Sequence, residues 1–140
     1  MRNVILAVAA VLALAGYEAA ACSCAPPPAP TAALEKATAV FTGKVTAMEI
    51  AGGSGMGMLV TLKAGRAWKG VESATVRLHT NRSSAACGYG FRVGGQYLVY
   101  AYASQAHGVL ATNLCTRTRA LSQAAGDLAE LGQGNPVPED

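Results

Sequence analysis

The chain has 140 residues, 51% of them apolar and 14% charged, with a formal net charge of +3. That length accommodates one domain, and the apolar content excludes an intrinsically disordered chain. The charge is too small and too dispersed for nucleic acid or an acidic membrane surface to be the main partner.

Arg2 is followed by an apolar run over residues 4–15 and then by Gly16-Tyr17-Glu18-Ala19-Ala20-Ala21. A short basic start, an apolar run of about a dozen residues and an A-x-A ending form the pattern of a secretory signal peptide. Residues 1–21 are therefore expected to be a signal peptide cleaved after Ala21, which makes Cys22 the first mature residue. The run is too short for a membrane span, which takes about 20 apolar residues. Cys22 at this place also raises the alternative of an acylated envelope lipoprotein, with Ala19 standing where that signal usually carries Leu. Membrane contact is expected only if Cys22 is lipidated. In both cases the compartment, extracellular or periplasmic, is oxidising, and paired cysteines there form disulfides.

All six prolines lie near the two ends of the mature chain, so the middle is free to form sheet. Pro26, Pro27, Pro28 and Pro30 predict a stiff extended arm, and residues 31–36 a short helical turn capped by Thr31. Residues 39–50 read as a strand, the glycine-rich residues 51–57 as a flexible hairpin loop, and residues 58–68 as the second strand. In that strand Val60 and Leu62 share one face, Thr61 and Lys63 the other. Lys69-Gly70 turns the chain. Residues 74–80 alternate, with Val76 and Leu78 inward and Thr75, Arg77 and His79 outward. Residues 96–102 are apolar on both faces and predict a central strand, and residues 109–114 predict the last one. Leu121, Ala125, Leu128 and Leu131 recur at helical spacing, and Gly132 and Gly134 end the helix. Short strands, one terminal helix and no βαβ alternation predict a mainly β fold, a small antiparallel barrel with a helix packed on it. The domain is expected over residues 22–132, with 133–140 as a flexible tail.

Cys22, Cys24, Cys87 and Cys115 allow three pairings. Joining Cys22 to Cys24 would close a strained ring, whereas either of the other two pairings ties the arm to the sheet twice.

Cys22-Ser23-Cys24-Ala25-Pro26-Pro27 resembles the opening of the mature tissue inhibitors of metalloproteinases and of the wider netrin-like domains. The resemblance continues through Val40-Phe41-Thr42-Gly43-Lys44-Val45, Cys87-Gly88-Tyr89, Gly95-Gln96-Tyr97-Leu98 and Leu110-Ala111-Thr112-Asn113-Leu114-Cys115, in that order. It implies an OB-like five-stranded antiparallel barrel with a C-terminal helix, bridged Cys22–Cys87 and Cys24–Cys115. It also implies a function. In that family the α-amino nitrogen and carbonyl oxygen of the first cysteine chelate a protease's catalytic zinc, whose open position normally holds water. Cys22 would supply that chelate through backbone atoms, Ser23 would point toward the specificity pocket, Ala85 and Ala86, just before Cys87, would form the neighbouring contact ridge, and Cys24 would complete the inhibitory contact. Leu34 stands where the animal inhibitors carry a further cysteine, and their C-terminal disulfide-rich domain has no counterpart, so the likeness is to a single-domain, bacterial-type form.

The other candidates are weaker. His79 and His107 have no Cys, Asp or Glu at ligand spacing and read as surface histidines. C-x-C on a proline-rich arm is not the C-x-x-C of a thiol–disulfide enzyme. Tyr97, Tyr100 and Tyr102 lie in an apolar strand and read as core rather than as a base-stacking platform, and Trp68 as a core anchor. No enzyme activity, resident metal or cofactor is expected, and the chain is expected to be monomeric. Two functions follow: a secreted inhibitor of a zinc metalloprotease acting through Cys22, or an exported or lipid-anchored netrin-like interaction module without inhibitory activity.

Overall fold

Strand-forming residues dominate the middle of the chain, and the computed structural model, which describes residues 22–140 except Ser54 and Ala106, folds them into one sheet closed on itself. The signal peptide expected over residues 1–21 lies outside the described residues.

The first helix, α1 (Pro30–Lys36), starts from Pro30 rather than from a Thr31 cap; Ala29 is the N-cap and makes no side-chain cap bond. Proline has no N–H to leave unsatisfied in a first turn, and its fixed φ suits that position. Next come β1 (Ala39–Ala51) and β2 (Gly57–Lys69), an antiparallel pair whose register shifts between Val40 and Phe41, Thr42 and Gly43, and Val45 and Ala47. Such bulges bend and twist a strand. They let β1 curve round to pair with β4 (Gln96–Ala103) on its other edge, from Ala39↔Ala101 to Lys44↔Gln96. β3 (Thr75–Asn81) pairs β2, and β5 (Leu110–Ala111) joins β3 to β4. The ring is thus β1–β2–β3–β5–β4 and back to β1. β6 (Arg119–Ala120) adds to β4, the helix α2 (Ala125–Leu131) follows, and β7 (Asn135–Pro136) pairs β2.

The ring is not wholly antiparallel, contrary to expectation: β3 and β5 run parallel, Leu78 opposite Leu110 and His79 opposite Ala111. Parity requires this, because directions that alternate round five strands must coincide once. β5 is also shorter than the strand expected over residues 109–114. Thr112 turns its hydroxyl to the Tyr100 carbonyl oxygen (2.9 Å), and the Asn113 side chain accepts the Cys115 N–H (2.8 Å), an Asx-type turn that ends the strand.

β4 is apolar on both faces because it separates two clusters. Tyr97, Val99 and Ala101 face the ring interior with Phe41, Val45, Val60, Leu62, Val76 and Leu78. Leu98 and Tyr100 face outward with Val40, under Ala33 and Ala37 of α1 and its end, Ala124 just before α2, and Leu128 and Leu131 of α2. Trp68 and Tyr102 are half-buried against this second cluster.

Two further expectations change. His79 is buried (7% exposed), not a surface residue, because the exposed His107 ring stacks on it with centroids 3.5 Å apart. Burial first, and the neighbouring His107 second, lower its pKa. Residues 133–140 are not a loose tail but lie along β2, with the Val137 N–H donating to the Gly65 carbonyl oxygen at 3.0 Å.

Candidate functional site

Pro26, Pro27 and Pro28 keep residues 22–29 out of helix and sheet, and Ser23 to Ala29 are exposed. Three ties hold this arm. Cys22 is bonded to Cys87 (Cα–Cα 5.3 Å) and Cys24 to Cys115 (5.1 Å), the pairing that the resemblance implies. At the arm's root, Arg117 Nη1 donates to the Pro28 carbonyl oxygen at 3.1 Å. The sulfurs of Cys22, Cys24 and Cys115 lie within 4.8 Å of one another. Since each is half of a disulfide, the cluster offers no thiolate to a metal. Opening the Cys24–Cys115 bridge with paired serines should cost about 2–4 kcal/mol in urea denaturation, since it closes a long loop.

Cys22 is bonded into a tightly knitted turn. After β3 the chain makes a 3-10 turn over Ser84–Ala86, where the Ser83 hydroxyl accepts the Ala86 N–H (3.2 Å) and the Asn81 amide donates to the Ala86 carbonyl oxygen (2.7 Å). Cys87 follows with φ 60°, a left-handed conformation that few non-glycine residues adopt. A Cβ on the buried Gly88 would overlap the Asn81 carbonyl oxygen, so the residue after Cys87 has to be glycine. Gly88→Ala should therefore cost about 1–3 kcal/mol by forcing the turn away from β3; chemical denaturation would measure it.

The bridge puts Cys22 beside the turn that carries Ala85, exposed, and Ala86, half-buried. Leu114 joins from the other side: its N–H donates to the Cys87 carbonyl oxygen at 2.9 Å, and its side chain is exposed. The β1–β2 hairpin is fastened alongside, with the Arg82 N–H on the Met56 carbonyl oxygen (2.8 Å) and Arg82 Nη1 on that of Gly55 (3.0 Å). Gly55, Met56, Arg82, Ser83 and Ala86 line a shallow hollow there. Residues 22–29 contain no charged side chain, so the arm itself carries no charge that would have to be desolvated on contact.

Sequence reasoning missed the network behind the arm. Asp127 of α2 is 2% exposed and accepts from Arg117 Nε (2.8 Å) and Nη2 (2.7 Å) and from the Tyr100 hydroxyl (2.9 Å), with Arg119 Nη1 at 3.6 Å. Burial opposes ionisation of this carboxyl, but the Arg117 and Tyr100 hydrogen bonds and the Arg119 charge outweigh it and hold its pKa below the ordinary value. The same burial, with Asp127 adjacent, pushes the Tyr100 hydroxyl well above its usual range. A signal existed: Ala124, Asp127, Leu128 and Leu131 share one helical face, and a carboxylate among core positions requires a buried partner.

Neither a protein-family model nor a curated protein matches the chain. The two disulfides indicate an oxidising compartment, extracellular or periplasmic. Among the described residues, no helix is long and apolar enough to cross a membrane.

Proposed function

We propose that the chain is a netrin-like, TIMP-like inhibitor that blocks a secreted zinc metalloendopeptidase through its mature N-terminus, its five-strand ring being an OB-like barrel. The observation that carries the reading is the fastening of Cys22: a residue that becomes N-terminal on removal of residues 1–21 is bonded to a rigid, exposed turn. A free α-amine and the Cys22 carbonyl oxygen form a small chelate ring that can replace the zinc-bound water. Because the bridges and prolines already restrict the arm, little conformational entropy remains to be lost on binding. Ser23 then enters the cleft beyond the metal, and Ala85, Ala86 and Leu114 lie against its rim.

The test is a panel of secreted zinc endopeptidases assayed with protein purified after export, its N-terminus determined by intact mass. Inhibition by protein beginning at Cys22 with an unmodified amine supports the reading. A lipidated or differently cleaved terminus removes the chelating group. With inhibition also absent, the exported or envelope-anchored interaction module is the better description.

A further inference from the structure

β2 outruns its partner β3. Their register extends from Gly57↔Asn81 to Lys63↔Thr75, and after the Ala64 N–H bond to the Ala74 carbonyl oxygen (2.7 Å) the outer edge of β2 is free to pair elsewhere. Residues 133–140 take that edge. Asn135 and Pro136 stand opposite Ala67 and Arg66, Arg66 Nε donates to the Gln133 carbonyl oxygen (2.7 Å), and the Trp68 indole N–H donates to that of Gly132 (3.1 Å).

The acidic end of the segment is read more closely still. Lys63 Nζ donates to the Glu139 carboxylate at 2.8 Å. One Asp140 carboxylate oxygen accepts from the Ser73 hydroxyl (2.7 Å) and the Ala74 N–H (3.0 Å), and the other accepts from the Thr75 hydroxyl (2.7 Å). Two adjacent carboxylates thus meet a cation and three neutral donors, contributed by β2, by the residues just before β3 and by Thr75 at its start. Of the segment's own side chains only Val137 packs on the core. It is therefore held by main-chain pairing and polar contacts rather than by buried apolar area. Gly132 and Gly134, with φ 77° and 62°, flank Gln133 and turn the segment from α2 onto β2. Beside Val137 and Glu139 a hollow floored by Thr42, Gly43 and Lys44 leaves room for larger side chains.

We infer that the outer edge of β2 beyond Ala64, together with Lys63 and the Ser73-Ala74-Thr75 cradle, is a recognition site for an extended peptide bearing two adjacent carboxylates, and that residues 133–140 occupy it in cis. Strand addition supplies affinity without regard to sequence, and the cradle supplies the preference for acidic residues. The site lies at the opposite end of β3 from the Cys22 ridge and does not depend on the inhibitor reading.

The experiment compares the full chain with the full chain carrying Glu139→Ala and Asp140→Ala, titrated against a labelled peptide of the sequence of residues 133–140 by fluorescence anisotropy. Trp68, the sole tryptophan, packs against Gly134 of the resident segment and gives a second readout by its emission. A cis ligand competes at high effective concentration, so the variant should bind the peptide about tenfold or more tighter than the wild type. Adding Lys63→Glu to the variant should remove that gain, and a peptide with both carboxylates replaced by amides should not bind. Equal binding by wild type and variant, absence of binding to the variant, or binding indifferent to Lys63 and to the carboxylates would each overturn the inference. These exposed substitutions should leave the thermal midpoint nearly unchanged, which separates loss of the site from loss of the fold.

Discussion

One alanine added ahead of Cys22 should sharply weaken inhibition of a zinc endopeptidase that the protein with a free Cys22 terminus blocks, while both forms unfold at the same temperature. The extension turns the terminal amine into an amide, whose lone pair is delocalised and no longer available to zinc. Everything else in the contact surface survives: both bridges, the turn with Ala85 and Ala86, and Leu114. The lost contact is a central one, of the class whose removal costs about 2–4 kcal/mol, or roughly thirty- to a thousand-fold in the inhibition constant. Acetylating the amine should do the same. Because only the neutral amine donates, and an α-amine titrates near pH 7.7–8.0, inhibition by the unmodified protein should weaken as pH falls below about that range. Inhibition constants for the two forms, with circular dichroism as the fold control, decide the matter. Equal inhibition by both forms would exclude chelation by Cys22 and shift attention to the apolar surface around it.

Rigidity is what the fold contributes to such a site. The arm cannot form helix or sheet because of its prolines, so its direction is set from outside, by the two disulfides and by Arg117 on the Pro28 carbonyl oxygen. Each anchor reaches a different part of the molecule. Cys87 is in the turn after β3, Cys115 follows β5, and Arg117 is clamped to α2 through Asp127. Cys22 and the arm behind it are therefore referred to the ring and to the second apolar cluster at once.

Much of this was legible where period-two alternation or residue type leaves one choice. Val60 and Leu62 of β2 and Val76 and Leu78 of β3 are buried as their alternation requires, and β4 is buried on both faces as its unbroken apolar run requires. The C-G-Y run is legible in hindsight as geometry, since Gly88 sits where no Cβ fits. What escaped depended on contacts between residues far apart in the chain. His79 sits on the polar phase of its strand, yet His107 from a later loop covers it. Residues 133–140 look like a tail by composition, and only the overhang of β2 beyond β3 shows why they are bound. The parallel β3–β5 pair follows from ring closure, which no local pattern encodes.

Asp127→Ala should cost about 3–5 kcal/mol, the loss expected when one member of a buried ion pair is removed and the other stays. Arg117 has only 15% of its side chain exposed and would keep its charge with neither of its bonds to a carboxylate. The Tyr100 hydroxyl, held within the second cluster, would lose its acceptor as well. Replacing Arg117 and Asp127 together should cost less than the sum of the single changes, because the double variant leaves no uncompensated charge. The pH dependence has a definite sign. The folded-state pKa of Asp127 lies below its ordinary value, so its stabilisation is complete above the usual carboxylate range and is lost as pH falls through the folded value. Asp127→Asn should accordingly flatten the acid limb of the stability profile measured by urea denaturation. The arm should respond too. With Arg117 released from α2 its hold on Pro28 slackens, and the backbone order parameters of Ala25 and Ala29 should fall while β4 amides stay protected from exchange. If Asp127→Ala costs under about 1 kcal/mol, as an exposed pair would, the clamp is not what fixes the root of the arm, and the two disulfides alone set the direction of Cys22.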